Sequence, residues 1–442
     1  MKTKRLTSLL PLLFVACHPS AGTPSRPDGG TGPTPPATFI VHMPEGFASS
    51  LPMYKSAHVL LGDGGKYRVR LDEQGMARFH APELVGPRDV SLVTVHTSGR
   101  VQVQSFLALE GAEVWLPREG FPMVGFDFTQ QATLTGKVTG ADDSNAVSVL
   151  TSGKGFSGFT TQDAQGGFRI DVRGPSPGTV DVFARESDRA RTKIVRVGMK
   201  RGIAVGGGAL VSGLEVALDH PVDQSLEVTE EGAVSQGREV AATLRYTLNG
   251  QVLFTTEAAG ALPLGLPAIA QTPPCDTRVP MLQLSSGELE RLPGGLVQTE
   301  RPVTSPSSAG VKFLTPVRIT SPAMGTQDAP ASQSREGLVL RWSPDASAHL
   351  TEVRLASGTD GDSFSWSVRA PASVTGFTPF TLPADITSVR GFRAGAASVW
   401  AYSLWQADMG GYEDFFTGTG TPFFPSGVEV RTTRLSFPVE LR

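Results

Sequence analysis

An apolar residue at every second position is the pattern that recurs from residue 39 to the end of the chain. It stands out in residues 66–71 (KYRVRL), 168–172 (FRIDV), 214–218 (LEVAL) and 435–441 (LSFPVEL). Such alternation places one face of a strand on a core and the other in water. The 50 glycines and 34 prolines oppose long helices and separate the strands. The sequence therefore predicts an all-β protein of tandem antiparallel β-sandwich domains.

A short motif occurs twice in the first half of the chain. Residues 72–79 read DEQGMARF and residues 163–170 read DAQGGFRI. An aspartate that bonds its own backbone, followed by a glycine with positive φ, makes a tight turn. The flanking alternation predicts a hairpin at each turn. A period of about 90 residues suits duplicated sandwich domains rather than a solenoid.

The first seventeen residues, MKTKRLTSLLPLLFVAC, combine a basic start with a short apolar run. That run is shorter than the about 20 residues that cross a bilayer, and it fits a signal peptide. The segment resembles a bacterial lipoprotein signal, because the run ends in small Ala16 followed by Cys17. The resemblance implies cleavage between these two residues and acylation of Cys17, with the lipid as the membrane attachment. His18, in place of an aspartate, implies the outer membrane rather than the inner one.

Residues 18–37 are mostly proline, glycine, serine and threonine and contain no large apolar residue. Such a segment buries too little surface to offset its chain entropy. It is therefore predicted to be a disordered tether between the lipid and the folded body.

Two further resemblances concern the body. Gly136-Lys137-Val138, the stretch 161–170 and the stretch 180–184 (VDVFA) resemble a carboxypeptidase regulatory-like domain. This implies a seven-stranded transthyretin-like sandwich without catalytic residues. Residues 338–342 (LVLRW) resemble the strand that carries the core tryptophan of fibronectin type III or immunoglobulin-like sandwiches.

Together these patterns divide the chain into six predicted parts. They are a signal peptide (1–16), a lipidated cysteine with tether (17–37), a first β-sandwich (38–126), a regulatory-like β-sandwich (127–218), a β-rich region with an irregular Pro/Gly/Ser-rich excursion (219–315) and a fibronectin/immunoglobulin-like β-sandwich (316–442). Within the less regular fifth part, Asn249-Gly250 predicts a type I′ hairpin turn.

Charge and motifs limit the chemistry. Lys+Arg is 39 and Asp+Glu is 42, and no basic stripe occurs, which argues against a nucleic-acid partner. None of the seven histidines has metal-ligand spacing, and no G-x-S-x-G elbow is present. We therefore predict no catalytic residue, no metal and no cofactor. Cys275, which has no partner once Cys17 is acylated, is expected to be buried.

The most unusual stretch is 400–424, where 8 of 25 residues are aromatic. Two interpretations stay open: the rings are exposed and stack on sugars or anchor a protein partner, or they pack as a local core. The candidate binding residues are Trp405, Tyr412, Phe415, Phe416, Phe423 and Phe424.

These observations favour a lipid-anchored cell-envelope protein that acts as a non-catalytic structural, adhesive or protein-interaction module. The alternative is an envelope carbohydrate-binding protein that uses the aromatic-rich C-terminal loop, and a third reading is a hydrolase with a cryptic site. The predicted partners are the membrane, through the lipid, and envelope proteins or polysaccharide. The oligomeric state is left open.

Overall fold

The computed structural model describes residues 38–44, 47–81, 83–84, 86–117, 129–232, 238–276, 279–287, 295–358, 363–417 and 427–442. These residues form an all-β protein, which confirms the predicted fold class. Within the described ranges, helical structure is limited to α1 (Phe47–Ser50) and the 3-10 turns Leu51–Met53 and Glu413–Phe416. The signal peptide, Cys17 and the tether lie outside the described residues.

The first sandwich, unit 1, contains seven strands in two sheets. One sheet has the order β4-β1-β7, with β1 and β7 parallel, and the other contains β6-β5-β2-β3. The strands are β1 (Thr38–His42), β2 (Tyr54–Leu61), β3 (Tyr67–Arg70), β4 (Met76–His80), β5 (Arg88–His96), β6 (Val101–Leu109) and β7 (Glu113–Trp115).

Unit 2 repeats this topology strand for strand. Its sheets have the orders β11-β8-β14, again with a parallel outer pair, and β10-β9-β12-β13-β15, in which β15 is a short addition. The strands are β8 (Thr129–Thr139), β9 (Ala146–Ser152), β10 (Phe159–Thr161), β11 (Gly167–Gly174), β12 (Gly178–Ser187), β13 (Ile194–Val205), β14 (Ala209–Ala217) and β15 (His220–Pro221).

The repeated motif forms the same tight turn in both units. The carboxylate of Asp72 accepts from the backbone N–H of Met76 at 2.7 Å, and that of Asp163 accepts from Gly167 at 2.6 Å. Gly75 and Gly166 have φ of 77° and 79°. The predicted hairpins are wrong, however, because each turn carries the chain from one sheet of its sandwich to the other. Local turn chemistry fixes the reversal, whereas the pairing partner is set by the order of strands in each sheet.

Unit 3 is a third copy of the same topology. Its sheets have the order β19-β16-β22, with β16 and β22 parallel, and β18-β17-β20-β21. The connection between β18 and β19 lacks the aspartate–glycine motif, so the sequence did not identify this copy. The strands are β16 (Gln224–Glu230), β17 (Glu239–Leu248), β18 (Gln251–Ala261), β19 (Leu264–Ala268), β20 (Met281–Ser286), β21 (Leu296–Pro302) and β22 (Ser308–Val311).

The predicted turn at Asn249-Gly250 in unit 3 is confirmed. It joins the antiparallel pair β17 and β18, and its residues have φ of 53° and 80°. Positive φ at both central positions is the requirement of a type I′ turn.

Unit 4 has a different connectivity. Its small sheet has the order β23-β25-β28, and its larger one contains β30-β29-β26-β27, with β24 beside β30. The strands are β23 (Arg318–Ser321), β24 (Ala331–Gln333), β25 (Leu340–Ser343), β26 (Leu350–Ser357), β27 (Phe364–Ala370), β28 (Gly376–Phe377), β29 (Gly395–Gln406) and β30 (Val430–Leu441).

Units 1, 3 and 4 share one 13-stranded sheet. The edge strand β27 of unit 4 pairs in parallel with β6 of unit 1, and β30 pairs antiparallel with β21 of unit 3. The small sheets of units 3 and 4 cover one face of the large sheet, and that of unit 1 covers part of the opposite face. The uncovered remainder of that opposite face, on β17, β18, β20, β21, β26, β29 and β30, is called the open face below.

Two cores show how the units contact each other. Trp342, the tryptophan singled out in the sequence, is buried beneath the large sheet with Trp366. Between units 2 and 3, Phe183 stacks on Phe254 with ring centroids 5.6 Å apart. Cys275 is fully buried in this second core, as expected, and burial raises the pKa of its thiol to about 12.

Candidate functional site

Two of the six predicted aromatic residues are part of a core. Tyr412 and Phe416 flank the 3-10 turn at Glu413–Phe416, and both are buried against Phe106 of unit 1. Phe416 meets Phe106 edge-on at 5.7 Å, and the Tyr412 hydroxyl donates to the carbonyl oxygen of Arg369 at 2.9 Å. This turn covers the large sheet next to the small sheet of unit 1, and the open face begins beside it.

The other four predicted residues do not form a common surface. Phe415 is half-buried against the same core. Trp405 projects from the covered face of the large sheet, and the guanidinium of Arg431 lies over its ring at 4.0 Å. Phe423 and Phe424 lie outside the described residues, as do Ala16 and Cys17.

The open face carries a site that the sequence analysis did not select. Trp400, on β29, is 44% exposed and lines a hollow of about 270 Å³. The side chains around it come from three neighbouring strands, β26, β29 and β30. Arg354 lies directly opposite Trp400, and Glu352 and Arg434 flank Tyr402 one step further along the strands.

The hollow has more positively charged than negatively charged side chains around it. Glu352 accepts from the buried Arg369 at 2.9 Å. Among the described residues, the guanidinium groups of Arg354 and Arg434 have no hydrogen-bond or ion-pair partner, and the Nε of Arg434 is buried. One carboxylate and three guanidinium groups therefore leave a local excess of positive charge.

Tyr402 forms the floor of the hollow. The guanidinium of Arg434 lies 5.8 Å from the centre of its ring. Burial raises the pKa of the Tyr402 hydroxyl well above its usual value, so the ring stays neutral. The neutral ring of Tyr402 therefore holds the Arg434 guanidinium beside Trp400 without neutralising the guanidinium charge.

The position of Trp400 follows from the two-residue period of β29. Val399 and Ala401 point to the covered face and are buried, so Trp400 must point the other way. Trp405, five positions on, falls on the covered face for the same reason. The strand period alone places Trp400 on the face opposite Val399 and Ala401, but it does not indicate which face lacks a covering layer.

A second hollow, of about 810 Å³, lies on the small sheet of unit 2. It is lined by Lys137, Arg169 and Glu215 among several threonines. The ring of Phe168 belongs to the core of the unit, and none of the described residues that line this hollow carries an exposed aromatic ring.

The described cluster that most resembles a catalytic triad is Asp219, His220 and Thr272. Nδ1 of His220 lies 2.7 Å from the Asp219 carboxylate, and Nε2 lies 3.1 Å from the Thr272 hydroxyl. However, Nε2 also lies 3.0 Å from the Thr272 carbonyl oxygen, which can only accept. Both contacts of Nε2 are with one residue, Thr272, and they join β15 of unit 2 to unit 3.

The described residues contain neither a metal-binding cluster nor a membrane-spanning helix. In that part of the chain no group of three or more His, Cys, Asp or Glu side chains is placed to hold a metal ion. In the same part, no helix has the length and apolar character needed to cross a membrane.

No protein-family model matches the chain, and no curated protein matches it. Solved structures give distant similarities. A Ca²⁺-stabilised adhesin with which an Antarctic bacterium binds ice is 11% identical, with 92% of this chain and 100% of that chain covered and a TM-score of 0.16. A family 26 carbohydrate-binding module of Eubacterium rectale Amy13K, in complex with maltoheptaose, is 13% identical, with 41% and 94% covered and a TM-score of 0.14.

The TIE protein of Bacillus anthracis is 10% identical, with 83% of this chain and 62% of that chain covered and a TM-score of 0.15. TM-scores this low do not establish a shared overall structure. The fold and the site by themselves define an all-β protein of four sandwich units whose shared sheet carries an exposed tryptophan beside two arginines.

Proposed function

We propose that this chain is a non-catalytic binding protein of the cell envelope, and that its ligand surface is the open face around Trp400. The observation that carries the proposal is one exposed indole beside two arginines whose guanidinium groups have no hydrogen-bond or ion-pair partner among the described residues. An exposed aromatic ring with a few polar groups around it is typical of a ligand site.

Carbohydrate is the ligand class that this surface supports best. The flat face of an indole contacts the C–H groups of a sugar ring, and guanidinium groups donate to its oxygen atoms. A stable protein interface buries about 800 Å² per partner around an apolar centre. Among the described side chains that line the hollow, Trp400 is the one large exposed hydrophobic residue, which is too little apolar surface for such a centre.

The proposal moves the binding role from the aromatic loop to the strand before it. Tyr412 and Phe416 support the site instead, since they cover the sheet beside the hollow. Trp400 is thus held on a rigid strand with buried neighbours on both sides, and a rigid platform loses little entropy on binding.

Attachment and domain organisation belong to the same proposal. Cys17 would be acylated and would hold the protein at the outer membrane, with 18–37 as the tether. In this proposal, the body divides at 38–126, 127–218, 219–315 and 316–442, with a regulatory-like second domain and a fibronectin/immunoglobulin-like last one. The succession of four sandwich units along the chain supports this division. The buried Trp342 supports the last assignment.

Binding is tested on a glycan array with the full chain and two variants. Trp400→Ala should abolish the strongest signals. Phe159→Ala, which removes a more exposed ring from β10 in unit 2 (62% exposed against 44% for Trp400), should leave them unchanged. Array signals that persist in Trp400→Ala, or no glycan signal with the unmodified chain, would contradict the proposal.

Anchoring is tested separately. Cys17→Ser should remove metabolic acyl labelling and release the protein from the membrane fraction. Labelling that persists in this variant would refute the lipid anchor without affecting the binding proposal.

A further inference from the structure

We infer that the hollow beside Trp400 selects anionic sugars, in which a carboxylate on the sugar ring lies between Arg354 and Arg434. This inference rests on the proposed carbohydrate-binding function and adds the substrate class. The juxtaposition that carries it is one exposed indole between two guanidinium groups, on adjacent strands of one sheet.

The strand register fixes the distances. Arg354 is the direct cross-strand neighbour of Trp400 on β26, so their Cβ atoms lie about 4.5–5.5 Å apart. Arg434 is the direct neighbour of Tyr402 on β30, which makes it a diagonal neighbour of Trp400 at about 7–8 Å. A sugar stacked on the indole would therefore have one guanidinium at each side.

The charges of the surrounding side chains indicate an anion. Among the described residues, the titratable groups that line the hollow are Glu352, Arg354, Tyr402 and Arg434. Glu352 is already bonded to Arg369, whose buried side chain adds a further positive charge. The guanidinium groups of Arg354 and Arg434 have no carboxylate partner among the described side chains, and a carboxylate makes the strongest hydrogen-bonded pair with an arginine.

The size and openness of the hollow suit one sugar of a longer chain. Its volume of about 270 Å³ lies below the range of pockets that enclose a whole drug-sized ligand. The open face continues onto β21, β20 and β17, where Gln298, Glu300, Gln283 and Arg245 form a polar surface. A polysaccharide could therefore extend along the sheet from the sugar at Trp400.

The experiment measures dissociation constants by calorimetry for the full chain with three probes. These are oligosaccharides of galacturonate, the same oligosaccharides with methyl-esterified carboxylates, and oligosaccharides of alginate. We expect binding to at least one of the acidic probes, and loss of about tenfold or more in affinity when the carboxylate is esterified, because a charge-assisted hydrogen bond is lost. Sodium chloride should weaken the acidic interaction, since an exposed charge pair is screened.

Variants assign the effect to the two arginines. Arg354→Gln and Arg434→Gln should each weaken binding of the acidic probe about tenfold. Arg318→Gln on β23, which also removes an exposed arginine, should have no effect. Circular dichroism melts of all variants should coincide, so that lost binding does not reflect unfolding.

The outcomes separate the two proposals. Equal affinity for acid and ester, or Trp400-dependent binding of neutral glycans alone, overturns the anionic inference and leaves the carbohydrate proposal standing. Absence of Trp400-dependent binding to any glycan overturns both. Trp400-dependent capture of a purified envelope protein in place of glycans would also overturn both.

Discussion

A hydrogen-bonded network crosses the ladder between units 1 and 4, and breaking it tests whether the two units unfold together. The hydroxyl of Ser105 on β6 accepts from Nε1 of Trp366 on β27 at 2.9 Å and contacts the Ser91 hydroxyl at 2.7 Å. All three side chains are buried. Ser105→Ala removes the centre of this network without adding volume.

The expected cost follows from the partners left behind. The indole N–H of Trp366 can only donate, and Ser105→Ala leaves it and the Ser91 hydroxyl without this partner. A buried polar group without its partner costs about 1–3 kcal/mol, so two of them should lower the free energy of unfolding by about 2 kcal/mol or more. Ser91→Ala keeps the Trp366 bond and should cost about 1 kcal/mol.

Hydrogen exchange with mass spectrometry measures both units in one sample. A loss of about 2 kcal/mol accelerates exchange through global opening about 30-fold. In Ser105→Ala, we expect this acceleration both in β6 (101–109), which carries the mutation, and in β27 (364–370), which belongs to the other unit. Faster exchange in 101–109 with unchanged exchange in 364–370 would refute the shared cooperative sheet. Equal effects of Ser91→Ala and Ser105→Ala would refute the network argument.

Three further predictions concern stability. Glu186 in unit 2 is fully buried and accepts from Arg196, from the backbone N–H of Asp142 and from Nδ2 of Asn145. Glu186→Ala leaves these donors without that partner and should lower the free energy of unfolding by about 2 kcal/mol or more in urea titrations. An effect under about 1 kcal/mol would contradict this. Gly198→Ala should lower the free energy of unfolding by more than about 2 kcal/mol, because the new Cβ would lie 1.9 Å from a backbone oxygen. The control Gly391→Ala places its Cβ in open space and should leave the thermal melt unchanged. Burial raises the pKa of the Cys275 thiol to about 12 in the folded chain, above its value in the unfolded chain. The buried thiol therefore makes its full contribution to stability below about pH 8.5, and this contribution falls as the pH rises toward 12. Rapid thiol labelling of Cys275 in the folded chain at pH 8 would refute this burial.

The strand alternation and the tight turns could be predicted from the sequence, because each depends on residues that are neighbours in the chain. The two-residue alternation identified the all-β class, and Asn249-Gly250 identified its turn through the positive φ that both residues tolerate. The turns at Asp72 and Asp163 formed as their side-chain chemistry required. The third copy of the topology in unit 3 escaped detection, because different residues make the equivalent connection between its sheets.

The sequence identified only part of the candidate site, for a related reason. The sequence located an aromatic-rich stretch, and its first residue, Trp400, turned out to line the hollow, while the residues chosen from the loop included the buried Tyr412 and Phe416. An aromatic side chain has the same preference for a core as for a ligand surface, so composition alone could not separate the two.

The sequence by itself determined which residues form strands, where several tight turns occur and which side chains share a strand face. The tertiary structure alone decided that β6 pairs with β27 and β21 with β30, since any edge strand offers the same backbone donors and acceptors. It also decided that Trp366 is buried and Trp400 exposed. Both residues lie at regular positions of a strand, and the difference is that another layer covers one face of the sheet and leaves the other open.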